Sequence, residues 1–374
     1  MLCQTRPCAT TSDHHASLFA RSALTILCLA ISALFSFALT AKGQQQPTAQ
    51  PTPQAQTGEL ITLRGKRLYV EVSGPQDAPA LLYLHGGPGS GAYDFTLYQG
   101  QRLSRRLRLV RMDQRGSLRS DPLDEKEAFG LQDIIEDCEA LRQHLGIKRW
   151  FVLGHSFGGY LAVRYALAYP NSVAGLLLES PSFDLAPSAR SLLRGAALEY
   201  RAMGKPAEAA ECLKAAAKAD TPEEVWQDFT RLTNALDARR NNLYVHGPEK
   251  DFFDQLVAHS PMPKEWGRGG TMQSKLYAEK QVFVSLLPKL SELRCPALLI
   301  KGQYDWVTSA DQLAAFRSDV RHGQIVIFQH SSHFPRVEEP TRYAAIVTRF
   351  VLQHCRKRRG TGPPSCTSGL PSRS

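Results

Sequence analysis

No Cys-x-x-Cys pair occurs in this chain, and its eight cysteines are widely spaced. Cys3, Cys8 and Cys28 lie in or before an apolar N-terminal stretch. The remaining five, Cys138, Cys212, Cys295, Cys355 and Cys366, are odd in number. A zinc site or redox motif has no support from such spacing, and burial is the expected fate of Cys138, Cys212 and Cys295. No metal or organic cofactor is expected. No internal repeat is visible, which argues against a solenoid. Basic charge is scarce where a nucleic-acid surface would need it. The formal net charge is +10, but residues 356–374 hold +5 of it through Arg356, Lys357, Arg358, Arg359 and Arg373, and residues 1–42 another +2. The body between them carries +3, so no nucleic-acid partner is expected. The segment 356–374 reads as a solvated, disordered basic tail.

Charge is also missing from Ala23 to Ala41, which is almost wholly apolar and follows Arg21. Residues 1–42 therefore read as a signal peptide or a membrane anchor. Export with cleavage, to a periplasmic or extracellular site, is the favoured expectation, and membrane attachment through this segment is the alternative. Residues 43–58 form a Gln/Pro/Thr-rich linker that cannot bury a core and should be disordered.

What is present is an alternation of strands and helices. Strands are predicted at Glu59–Leu63, Arg67–Val72, Ala80–Leu84, Leu107–Met112, Trp150–Leu153, Val173–Leu178, Ala297–Ile300 and Gln324–Phe328. Several are unbroken Val, Leu and Ile runs, as expected of strands covered on both faces of a mostly parallel sheet. Helices are predicted at Leu131–Leu145, Tyr160–Tyr169, Ala310–Phe316 and Thr341–Cys355. Residues 59–180 and 295–355 would form this α/β core. Across 181–294 the strand signal vanishes, and helices are predicted at Ala186–Arg201, Lys205–Lys218, Pro222–Ala238, Lys250–His259 and Ser274–Leu286. Thr221-Pro222-Glu223-Glu224 reads as a helix N-cap followed by proline at the first helical position. This all-helical block is expected to cap the carboxyl edge of the sheet, where open parallel sheets bind ligands.

Chemistry concentrates at Gly154-His155-Ser156-Phe157-Gly158-Gly159. A strand runs into Gly-x-Ser-x-Gly and then into a helix, the setting of a nucleophile elbow that exposes a serine hydroxyl. That hydroxyl needs a base, and the base needs an orienting acid. With an elbow of this kind the chain order is serine, acid, histidine. Asp305 and His333 follow the last two predicted strands and are the candidates, with His330 as the alternative base. An oxyanion hole needs two backbone amides. Phe157, after the serine, offers one. The loop His85-Gly86-Gly87-Pro88-Gly89 offers the other, from Gly87 or, as runner-up, Gly86.

At these residues the chain resembles the proline iminopeptidase family of α/β-hydrolases, which includes the tricorn-interacting aminopeptidases. The resemblance rests on His85-Gly86-Gly87-Pro88-Gly89, Asp113-Gln114-Arg115-Gly116 and the serine elbow, and it spans roughly residues 59–355. His333 followed by Glu338-Glu339-Pro340 is similar to the family's closing pattern. The resemblance implies an α/β-hydrolase fold and release of an N-terminal residue, proline among them, from a peptide. It also implies cap carboxylates that hold the substrate's α-ammonium. Glu249 lies in a segment similar to a family cap segment. Glu223, Glu224 and Glu179 are further candidates. Leu118 stands where the family has glycine, and Phe157 where proline-preferring members often have tryptophan. Both departures bear on the prolyl preference and leave the hydrolase chemistry intact. A carboxylesterase with the same triad is the alternative activity, and a catalytically silent binding protein is the rival of another class.

Overall fold

The computed structural model describes residues 58–247, 251–258 and 260–359, with the backbone alone for 356–359. The expected signal or anchor segment, nearly all of the linker, Glu249 and the tail beyond Arg359 lie outside the described residues.

An eight-stranded sheet runs through the molecule in the order β1-β2-β4-β3-β5-β6-β7-β8. The strands are β1 Glu59–Leu63, β2 Lys66–Ser73, β3 Ala80–Leu84, β4 Arg108–Met112, β5 Trp150–His155, β6 Val173–Glu179, β7 Ala297–Gly302 and β8 Gly323–Phe328. β2 pairs antiparallel with both β1 and β4, and the other neighbours pair in parallel. The apolar runs explain the interior. Every residue of β3, β5 and β7 is buried, whereas the edge strand β1 alternates. Because side chains alternate along a strand, Leu82, Leu84, Val152 and Leu178 enter one core, and Leu81, Tyr83, Leu153 and Leu177 enter the other. The first core packs against the helices Leu131–His144 and Phe157–Ala168. The second packs against the last helix through Tyr343, Val347 and Phe350. That helix begins at Pro340 and continues to Arg359, past the predicted end at Cys355.

Between β6 and β7 the described residues hold helices and no strand, from Leu185 to Glu292. The first part of this insertion has its own apolar core, built on Leu193, Cys212, Phe229 and Leu243, and Val307 from the loop after β7 joins it. Among the described cysteines, Cys138, Cys212 and Cys295 are buried and free.

Two predicted helices break. The stretch from Pro222 is α-helical only to Thr233 and continues as a 3-10 segment, Asn234–Leu243. Asp237 there has φ 47° and ψ −131°, outside the helical region. Asn and Asp side chains compete with helical hydrogen bonds, which favours a break. The stretch predicted at Ser274–Leu286 is helical from Gly269 to Glu279 and stops at left-handed Lys280. A helical turn that the periodicity misses runs through Tyr93–Phe95, Thr96–Gly100 and Gln101–Ser104. Its middle section is a π-helix, so the 3.6-residue signal is lost.

Candidate active site

Ser156 follows β5 and caps the helix Phe157–Ala168, with φ 55° and ψ −119°. A non-glycine residue reaches such a conformation only when its surroundings impose it. Here the Ser156 amide donates to the Glu179 carbonyl at 2.9 Å. The neighbouring glycines are a steric requirement. A Cβ at Gly154 would stand 2.0 Å from the Gly158 carbonyl oxygen, and one at Gly158 would stand 2.1 Å from the Leu84 oxygen. Strand β5 can therefore turn into its helix against β3 only with glycine at both places.

Asp305 follows β7, and His333 follows β8. The structure brings them together: His333 Nδ1 donates to Asp305 Oδ1 at 2.9 Å, and both side chains are buried. Burial alone would push the Asp305 carboxyl up. Lys301, 3.6 Å from Oδ2, together with His333 and the Val307 amide, outweighs it and holds the group well below the usual carboxylate range. The His333 ring packs on His155, the residue before Ser156, with centroids 4.6 Å apart. His155 Nε2 donates to the His333 carbonyl at 3.1 Å. Burial first, then the Arg336 charge and then His333, push the His155 pKa well down, so this ring is neutral. His330 is exposed, and its amide donates to Glu339, so the alternative base does not face Asp305.

Gly87 and Phe157 line a cavity of about 70 Å³ together with Ser156. Gly86 packs beneath, where a Cβ would meet the Ser156 Cβ at 3.0 Å. The rest of the cavity is apolar or neutral, formed by Pro88, Leu185, Leu192, Trp226, Tyr244, Tyr277, Val282 and Val307, with Ser182 and Ser188. The two serine hydroxyls bond each other at 2.8 Å. Burial pushes the phenols of Tyr244 and Tyr277 up to about 12, so they are uncharged at neutral pH.

The Asp-Gln-Arg-Gly motif lies behind the glycine loop as a brace. Asp113 Oδ1 accepts the Ala92 amide at 2.7 Å, and Asp113 Oδ2 accepts Arg119 Nε at 2.6 Å. The Gln114 amide donates to His85 Nε2 at 3.0 Å. His85 is therefore the Nδ1–H tautomer, and that nitrogen donates to the Gly86 carbonyl at 3.0 Å. Arg115 binds Asp137 in bidentate fashion, at 2.7 and 2.9 Å. The loop's backbone thus hangs from β4 and its following turn.

The glutamates proposed to hold an ammonium are placed otherwise. Glu179 is wholly buried; Oε1 accepts the Arg336 amide at 3.2 Å, and Oε2 accepts Tyr343 Oη at 2.9 Å and lies 3.2 Å from Arg336 Nη1. Both of its oxygens are committed inside the core, because Arg336, which also pairs with Asp94, needs counter-charges there. Glu224 is exposed and accepts the Thr221 amide and hydroxyl, closing the helix cap. Glu223 pairs with Lys280 at 2.9 Å. None of the three lines the cavity. Among the described residues no cluster of His, Cys, Asp or Glu could hold a metal ion.

A mostly parallel sheet with a serine elbow, an acid and a histidine at its carboxyl edge defines a hydrolase class. The chain belongs to the α/β hydrolase fold family, whose sequence profile matches residues 79–340. It is similar to the proline iminopeptidase PfmaB of Pestalotiopsis fici, with 24% identity over 304 residues, covering 80% of this chain and 99% of the relative. A solved structure of a proline iminopeptidase-related protein from Thermus thermophilus superposes with a TM-score of 0.58 at 24% identity, covering 80% of this chain and 98% of that one. An esterase from Exiguobacterium antarcticum superposes with a TM-score of 0.55 at 18% identity, covering 78% and 98%.

Proposed function

We propose that the protein is a serine hydrolase working through an acyl-enzyme on Ser156. Ser156 attacks a carbonyl, and His333 takes its proton and returns it to the leaving group. Asp305 orients His333 and stabilises the imidazolium. The Gly87 and Phe157 amides receive the developing oxyanion. Water then attacks the acyl carbonyl, with His333 as base, and frees the acid. The observation that carries this reading is the buried His333–Asp305 pair packed against the residue preceding a serine held at φ 55°.

For the substrate, we propose an unblocked N-terminal residue with a small apolar side chain, proline included. The small apolar cavity at Ser156 and the relatives named proline iminopeptidase support it. Hydrolysis of small esters is the second reading, favoured by one observation: no carboxylate lines the cavity among the described residues. The test is a panel of aminoacyl-arylamides, with free and blocked amines, beside short acyl esters. Cleavage of prolyl or other free aminoacyl amides, lost on blocking the amine, supports the aminopeptidase. Ester turnover without amide turnover leaves the esterase. Ser156→Ala should abolish whichever activity is found; full retention would sink the acyl-enzyme.

A further inference from the structure

The loop that carries His333 is held by a side chain to which the proposed mechanism gives no role. Glu338 ends the short helix Pro335–Glu338. Its Oε2 accepts the amide of Ser332 at 2.8 Å and that of Phe334 at 3.3 Å, the residues on either side of His333. Its Oε1 accepts the amide of His246, which belongs to the helical insertion, at 2.6 Å. The same stretch of the insertion reaches both catalytic loops. The Tyr244 carbonyl accepts the His333 amide at 2.9 Å. The His246 ring stacks on Tyr304, the residue before Asp305, with centroids 3.7 Å apart and planes 13° apart.

An imidazole in a loop is only as well placed as the backbone beneath it. Displacements of about 1 Å in a reacting constellation cost on the order of 100-fold in rate. One carboxylate here fixes three amides, two of them flanking the proposed base and the third in the insertion. We propose that Glu338 is a positioning residue for His333, and that it couples the His333 loop to the insertion stretch Tyr244–His246. It acts through the backbone and takes no proton. The inference rests on His333 being the base.

Glutamine separates the two halves of this role. An amide side chain keeps one acceptor oxygen and presents NH2 in place of the other. Glu338→Gln can therefore hold the Ser332 and Phe334 amides or the His246 amide, but not both sets. Glu338→Ala releases all three.

The experiment measures the rate constant and the final extent of Ser156 labelling by a fluorophosphonate probe at neutral pH in the full chain. Wild type, Glu338→Gln, Glu338→Ala and Ser156→Ala are compared. Turnover of a short acyl p-nitrophenyl ester gives kcat and KM for each. Both Glu338 variants should label about 10- to 100-fold more slowly. The loss should fall on kcat, with KM little changed. A partly unfolded sample lowers the final extent of labelling and leaves the rate constant of the folded fraction unchanged, so a merely structural role is distinguishable. A labelled wild type with Glu338→Ala matching it in rate overturns the inference alone. An unlabelled wild type overturns the proposed mechanism, and the inference with it.

Discussion

Leu118 combines a backbone that suits glycine with a side chain that the packing uses. Its φ is 43°, in the left-handed region, and its side chain is 1% exposed. It joins Tyr93, Val245, Phe252, Met262 and Phe334 in one apolar cluster that links the helical insertion to the core. Two effects oppose each other in Leu118→Gly. Relief of the left-handed conformation stabilises by about 1–2 kcal/mol. Loss of a buried leucine costs about 2–5 kcal/mol. Packing outweighs backbone relief, so the variant should be less stable by about 1–3 kcal/mol, read from the urea midpoint at unchanged m-value. Stability equal to or above that of the parent would show that the cluster contributes little. The departure from the family's glycine is visible in the sequence. Its partners are not, because Val245 and Met262 come from a segment more than a hundred residues away.

At the scale of elements, the cap at Thr221 shows what local sequence conveys. Thr221-Pro222-Glu223-Glu224 announces a helix start, and the structure forms the reciprocal bonds: Thr221 Oγ1 accepts the Glu224 amide, and Glu224 accepts the Thr221 amide at 2.9 Å. Thr221→Ala removes the acceptor and should destabilise by about 1 kcal/mol in thermal or urea unfolding, with the proposed catalytic constants unchanged. An equal loss from Thr221→Ser would argue against capping as the cause. Glu224, a candidate for substrate contact, belongs to this same motif. A carboxylate that completes a capping box faces its own backbone, and this geometry follows from the three-residue spacing alone. Glu179 misleads for a different reason. Its place at the end of β6 is legible in the sequence, but its buried partners Arg336 and Tyr343 come from the other end of the chain.

For the whole molecule, the buried histidines set a pH dependence of folding. Burial, the first cause at each, lowers the pKa of both His85 and His155 below the ordinary value of 6.5. Above that value both folded and unfolded chains are neutral there, and the fold is not penalised. Below it the unfolded chain binds protons that the fold excludes, and stability falls by at most about 1.4 kcal/mol per pH unit for each such histidine. Glu179, pushed up by burial, acts with the opposite sign near the carboxylate range. Asp305, held low, adds a further loss only as the pH falls below about 4. The urea midpoint should therefore be flat from pH 7 to 8.5 and decline from pH 6.5 to 5. A midpoint that stays flat across that lower interval would mean that the histidines titrate freely in the fold.

Covalent order and local pattern determined the strand series, the elbow around Ser156, the candidates Asp305 and His333, and the helical character of the insertion's described residues. These follow from short-range rules: unbroken apolar runs, two glycines where backbones collide, a cap with proline behind it. Tertiary structure alone decided which carboxylates are free. Charge and hydrogen-bond partners are settled by burial, and burial joins residues distant in the chain. For that reason Glu179 sits locked against Arg336, and Asp113 braces the glycine loop. For the same reason Glu338, in the sequence no more than part of a closing motif, grips the backbone on both sides of His333.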